Sequence, residues 1–369
     1  MISTGFNGSG ATTVYVPTVS KSYYGISSII AAQNVSTSPI TVTLDVYNSA
    51  GSSVLSNYKI KNVRQGSSAY FDIAELVSGG DFSGSAKITG TGAVFVTVAE
   101  LSDETGYAAM FEGGSAATTF YFPSLPCSSY SSTGYIAVQN TTGTATTLTL
   151  TYRNPNGSLV PTPTGTPSPS PTPIVLGGNK KLSFSACGGA GAGFAGTARL
   201  VSSAGNVVAV AKVKEEGRFQ TAYTGITEGG CQLLFPFVRW SHNNNWGTGA
   251  FHNRTYLAIQ NIGNTFTGNV DIYYLGKDGQ VLTHHAIGGM TANAKESSNP
   301  TMGNPTLSEF GYYSNHIYGG SVVIQGPSGS NLIAIARVTK KTGTSPEVIV
   351  AEDYTAIAST GCNLTVPKE

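Results

Sequence analysis

Ile30-Ala31-Ala32-Gln33-Asn34, Ile136-Ala137-Val138-Gln139-Asn140 and Leu257-Ala258-Ile259-Gln260-Asn261 are one short strand written three times in a chain of 369 residues. A strand ending in proline precedes each copy: Val14-Tyr15-Val16-Pro17, Phe120-Tyr121-Phe122-Pro123 and Leu234-Phe235-Pro236. Proline to glutamine spans 16 residues in the first two copies and 24 in the third, so the third carries an insertion. On the other side come alternating strands, Val42/Leu44/Val46, Leu148/Leu150/Tyr152 and Val270/Ile272/Tyr274. Each runs into a turn: Asn48-Ser49-Ala50-Gly51, Asn154-Pro155-Asn156-Gly157 and Gly276-Lys277-Asp278-Gly279. A period of two ending in such a turn predicts β-hairpins.

A late strand pair recurs as well. Gly84-Ser85-Ala86-Lys87-Ile88 precedes Val94–Ala99, Gly196-Thr197-Ala198-Arg199-Leu200 precedes Val207–Ala211, and Gly320-Ser321-Val322-Val323-Ile324 precedes Leu332–Ala336. From the glycine to the final alanine is 15, 15 and 16 residues. Self-similarity at this period marks a tandem array. The runs Val94–Ala99 and Val207–Ala211 read as central strands buried on both faces.

The expected fold is all-β: three tandem antiparallel β-sandwich modules of immunoglobulin-like size. Their bounds are 1–117, 118–230 and 231–361, followed by 362–369, whose Cys362-Asn363-Leu364-Thr365-Val366-Pro367 matches the start of a fourth repeat. Ile2-Ser3-Thr4-Gly5-Phe6 in turn resembles Ala222-Tyr223-Thr224-Gly225-Ile226, the close of a module. The frame is thus open at both ends. Either the terminal strand folds back or the chain is a fragment of a longer array, or Asn363, Leu364, Thr365, Val366 and Pro367 complete another copy by strand addition, which gives open polymers. The proline-rich stretch 161–173 is an insertion within the second module; it suits extended polyproline and O-linked sugars, or is an unmodified loop.

Composition narrows the function. Charged residues make up 11% of the chain, against about 25% in ordinary soluble domains. The net charge of +1 and scattered Lys and Arg exclude a nucleic-acid partner, which needs clustered cations. No apolar run is long enough to cross a membrane, and Met1-Ile2-Ser3-Thr4 does not open like a signal peptide. No GxSxG, HExxH, P-loop or dinucleotide fingerprint occurs, so neither an enzyme nor a cofactor is expected. Gly188-Gly189-Ala190-Gly191-Ala192-Gly193 reads as a flexible loop before a strand.

Four cysteines, Cys127, Cys187, Cys231 and Cys362, lack CxxC spacing, which removes the zinc and redox readings and leaves disulfides in an oxidising compartment. Three pairings are open. The histidines and both tryptophans all lie in the third module. Its insertion, 239–254, holds Trp240, His242, Trp246 and His252, a candidate loop for a glycan or protein partner, or else a cap on its own sandwich. His284 and His285 are adjacent on a strand and point to opposite faces, which defeats a two-ligand metal site. The Asn-x-Ser/Thr sequons, Asn34 and Asn140 among them, are no more frequent than chance in so Ser/Thr-rich a chain.

The proline strand, the Ile-Ala-x-Gln-Asn strand, the Asn/Asp-Gly turn and the Gly-Ser/Thr-Ala-x-Ile strand together resemble bacterial secreted surface and filament proteins with tandem immunoglobulin-like repeats. That resemblance implies an extracellular or cell-surface setting. The first expectation is a filament or array subunit that binds other copies of itself head to tail. The alternative is an adhesin or glycan-binding module acting through the Trp240–Trp246 loop.

Overall fold

The computed structural model describes residues 10–102, 108–129, 131–161, 173–204, 206–215, 219–242, 246, 252–313, 319–342, 348–359 and 361–362. Their regular secondary structure is almost entirely β-strand in antiparallel sheets, with short helical turns at Ile73–Leu76, Ala186–Ala190 and Pro300–Gly303.

The second repeat forms two sheets. One orders Lys181–Ser185, Ser132–Asn140, Val207–Glu215 and Phe219–Thr224, with Cys127–Ser129 on Ser132–Asn140; the other orders Ile174–Leu176, Thr146–Arg153, Thr197–Ser202 and Thr119–Phe122. The third repeat follows suit, with Lys295–Ser298, Arg254–Asn261, Leu332–Thr342 and Val348–Thr355 opposite Val281–Ile287, Val270–Leu275, Ser321–Gln325, Gln232–Phe235 and Ile357–Ala358. In the first repeat the two sheets are joined into one of seven strands by the unbroken Phe82–Ser102. Its first half pairs with Ala11–Lys21 and Ile40–Asn48, its second with Ile26–Asn34 and Ala108–Glu112. The crossing is made at Gly90, where a Cβ would lie 2.3 Å from the Gly92 carbonyl oxygen.

Alternation accounts for the cores. Ile40–Asn48, Thr146–Arg153 and Val270–Leu275 each bury every second residue, as a strand with one dry face must. Three clusters of buried side chains result, centred on residues such as Leu44 and Ile88, Leu150 and Phe122, and Ile272 and Phe235.

The repeated asparagine has a structural cause. Asn34, Asn140 and Asn261 are fully buried. Each Nδ2 donates to carbonyls of two neighbouring loops: Ser38 and Val63 at 2.9 Å, Thr144 and Leu176 at 2.7 and 3.1 Å, Asn264 and Met290 at 2.8 and 3.3 Å. Each Oδ1 accepts from a backbone N–H two residues on, at 2.8 to 3.0 Å. A buried amide with its donors so used pins the end of the strand, and in the folded chain Asn34 and Asn140 present no amide for glycosylation.

Three expectations need correction. The run Val94–Ala99 is not buried on both faces: burial alternates there, whereas Val207–Ala211 is buried throughout. The alanine match is also one residue out of register, because Ala99 pairs with Ile29 while Ala211 and Ala336 pair with Ile136 and Leu257. The true counterpart of Ala211 is Val98, which pairs with Ile30; the glycine crossing replaces the loop that separates these strands elsewhere. The glycine run at 188–193 is partly helical. Ser185 caps the turn Ala186–Ala190 by accepting from the Cys187 N–H, and Gly191 and Gly193 end it with φ of +82° and +83°, a region open to glycine.

Two disulfides, Cys127–Cys187 and Cys231–Cys362, close the described chain, with Cα–Cα distances of 4.9 and 5.6 Å. Such bonds point to an oxidising environment, and no helix among the described residues is long and apolar enough to cross a membrane.

Candidate functional site: the junctions between repeats

The turn that ends the third strand of one repeat lands on a turn of the next, twice, in the same way. Asn48–Gly51 meets 177–180, and Asn154–Gly157 meets 291–294. The Lys181 N–H donates to the Ser49 carbonyl at 3.3 Å and the Lys295 N–H to the Pro155 carbonyl at 2.7 Å. Gly51 and Gly157, at φ of +86° and +85°, come so close that a Cβ on either would lie 2.6 Å from the Gly178 or Ala292 carbonyl oxygen. Glycine is required there both for backbone conformation and for approach. At the equivalent turns that have no such neighbour, Gly66 and Gly279, a Cβ would meet nothing within 4 Å.

The outward faces of the strand triplets complete each junction. Ala137, Val210 and Ala222 of the second repeat belong to the core of the first, and Ala258 and Ile335 of the third belong to the core of the second. Gln139 and Gln260 are 1% exposed on that face, and the Gln260 amide donates to Thr197 Oγ1 at 3.2 Å across the junction. Among the described residues the same face of the first repeat is less covered: Ala31 and Gln33 are partly buried, and Tyr70, paired with Ala31, is 67% exposed.

Charged groups are drawn into these junctions. Lys181 Nζ reaches Thr18 Oγ1 at 3.1 Å and Ser83 Oγ at 2.8 Å in the first repeat; Lys295 Nζ reaches the Ala195 carbonyl, the counterpart of Ser83, at 2.9 Å. Burial holds the Lys181 ammonium down to about 7, with nearby Lys212 adding to it and Glu100 opposing, and holds Lys295 down to about 8, since a charge in low dielectric is disfavoured. Glu100 of the first repeat accepts from Lys212 at 2.5 Å and Gln220 at 3.0 Å in the second. In the third, Arg337 grips Asp353 through two hydrogen bonds of 2.8 and 2.7 Å, and Thr221 of the second donates to the same carboxylate at 2.7 Å.

All three repeats converge on one point. The equivalent segments 110–112, 222–224 and 353–355 line a cavity of about 30 Å³. Thr224 Oγ1 donates to the Glu112 carbonyl at 2.5 Å, and the Met110 N–H donates to Glu352 Oε1 at 3.2 Å. Burial pushes the Glu352 carboxyl up to about 8. The repeat motifs contain Ala137, Gln139, Ala258, Gln260, Gly51 and Gly157 as strand and turn residues, but the charged groups of the junctions are not among the site residues read from the sequence. The available signal was a lysine immediately after the four-residue turn in two of the three repeats, Lys181 and Lys295.

The described side chains of the tryptophan insertion pack on their own repeat. Trp240 is 9% exposed and stands edge-on to Tyr256 at 5.4 Å. Arg254 lies between Trp240 and Trp246, 4.8 and 4.5 Å from their ring centres, a cation–π sandwich. His252 sits 5.0 Å from the Tyr312 ring, and His242 is exposed, with its N–H donating to Glu309 at 3.1 Å. Residues 243–245 and 247–251 lie outside the described residues, as does the strand 363–367, although Cys362 fixes the start of that segment beside Cys231. His284 bonds Asp271 at 3.0 Å and His285 bonds Ser298 at 2.8 Å, on separate partners. Among the described residues no cluster of His, Cys, Asp or Glu is placed to hold a metal.

No family model matches the chain, and no curated protein does. Among solved structures, a mutant of the CFA/I adhesin CfaE of enterotoxigenic E. coli shows 9% identity over 73% of this chain and 78% of its own, with a TM-score of 0.09. A score that low marks no common fold.

Proposed function

We propose that the chain is a non-enzymatic structural subunit of an extracellular filament or cell-surface array, built as three immunoglobulin-like sandwich modules and joined head to tail to other copies. The observation that carries this reading is the sheet face that is buried at Ala137 and Gln139, buried at Ala258 and Gln260, and among the described residues only partly buried at Ala31 and Gln33, with Tyr70 exposed. A heterologous surface used twice within a chain, and less covered among the described residues of the first repeat, fits the geometry of an open polymer. Tyr70 on that face supplies an aromatic anchor of the kind interfaces favour. The strand Asn363–Pro367 is the proposed link that adds to or staples the neighbouring copy.

Light scattering of purified protein tests this. Ala31→Arg is expected to hold the protein as a folded monomer while the parent forms longer species. Equal masses for parent and variant at every concentration would end the proposal.

The second reading, an adhesin using the insertion, rests on Trp246 Nε1, which is buried with no acceptor among the described residues. Trp246→Ala would then lose adhesion to cells or glycan arrays without changing assembly.

A further inference from the structure

Between the first two repeats lies a cleft of about 920 Å³, at the upper end of the ~300–1,000 Å³ usual for ligand sites. It is separate from the open sheet face and independent of the assembly reading. Two features mark it as a binding site.

The first is Lys181 on its wall. Its side chain is nine-tenths buried, its Nζ is held by two hydroxyls, and no carboxylate lies within ion-pairing distance among the described residues. An ammonium buried with no carboxylate at ion-pairing distance, and with Lys212 acting on it more strongly than Glu100, is costly and is relieved by an anion. The other charges lining the cleft are Lys212, already paired with Glu100, and Lys214 and Asp81.

The second feature is the lip. Tyr23 and Tyr24 stand 4.5 Å apart on a tight turn closed by reciprocal hydrogen bonds between Tyr23 and Ile26 at 3.1 Å. Tyr24 is 81% exposed at a φ of +53°. Left-handed backbone is uncommon for a bulky residue and costs energy, against which stands only the edge contact and side-chain hydrogen bond with Tyr23. Glycine or asparagine would serve the turn better, so the tyrosine is held there for its ring. Tyr135, 41% exposed, lines the opposite wall. Aromatic faces with hydroxyl tips match the C–H faces and hydroxyls of sugar rings, and the walls add hydroxyls of Ser20, Ser183 and Ser185.

We propose that this cleft binds an acidic oligosaccharide, its rings against Tyr24 and Tyr135 and its carboxylate against Lys181. The test is titration calorimetry of the intact, disulfide-bonded protein with trigalacturonic acid, with maltotriose as the neutral comparison. The acid is expected to bind and maltotriose to bind at least tenfold more weakly. Lys181→Met should lower affinity for the acid at least tenfold, and Tyr24→Ala, an exposed change that leaves folding intact, by severalfold. No binding of the acid, equal binding of the two sugars, or parent-like affinity in both variants would overturn the assignment. Circular dichroism confirms that Lys181→Met is folded; if it is not, Tyr24→Ala with the two sugars decides alone.

Discussion

Lys212 Nζ of the second repeat lies 2.5 Å from Glu100 Oε1 of the first, and the Glu100 side chain is fully buried while that of Lys212 is 19% exposed. The charge pair therefore sits inside a junction between repeats. Two charges out of water are tolerated only while both are present. Glu100→Gln is expected to cost about 3 kcal/mol, because Lys212 loses its counter-ion. The double change Glu100→Leu with Lys212→Met should cost less than the two single changes added together, by about 1 kcal/mol or more. Urea unfolding of the four proteins checks the cycle; additive losses would mean that the pair is not coupled.

The junction turns provide an internal comparison. Gly51, Gly157 and Gly279 share φ values of +81° to +86°, yet only the first two face the backbone of a following repeat. Replacing any of them by alanine incurs about 1 kcal/mol of left-handed strain. Gly51→Ala and Gly157→Ala are expected to lose a further ~1–3 kcal/mol from forced separation of the repeats. Equal losses at all three positions, measured by chemical denaturation, would remove the junction contribution.

Stability should pass through a minimum near pH 7 to 8. The Glu352 carboxyl titrates near 8 in the folded protein but near ~4.3 unfolded. The folded state thus binds more protons between these values, and stability falls as pH rises through that window. Lys181 and Lys295 titrate near 7 and 8 when folded but near ~10.4 unfolded. Above those folded values the unfolded chain binds more protons, and stability rises with pH. Melting temperatures from pH 5 to 10 should trace the dip, with Glu352→Gln flattening the acid limb and Lys181→Met the alkaline one. A maximum at pH 7 to 8 would contradict the burial of these groups.

Both disulfides are expected to matter. Cys127–Cys187 closes a separation of 60 residues and Cys231–Cys362 one of 131, which in the chain-entropy model contribute about 4 and about 5 kcal/mol. Melting under a reductant, compared with paired Cys→Ala variants, should show separate losses of that order.

The sequence made the three cores and the hairpins legible, because alternation at Val42/Leu44/Val46 and its counterparts encodes a face directly. It also exposed Asn34, Asn140 and Asn261, though not their work as buried clamps. Ala99 was misread because spacing counts residues and not directions; one residue fewer at the Gly90 crossing reverses the face. The junctions stayed hidden for another reason. Lys181, Glu100 and Glu352 are buried, and Lys295 partly buried, where one repeat meets another, a packing that no single repeat's pattern encodes.

The most direct test of the assembly is cryo-electron microscopy of the native material. The expected result is a continuous array of repeats in which a third repeat of one copy covers Ala31, Gln33 and Tyr70 of the next, through contacts like those at Ala137 and Ala258. Particles of single chains with that face bare, or polymers joined elsewhere, would contradict the account.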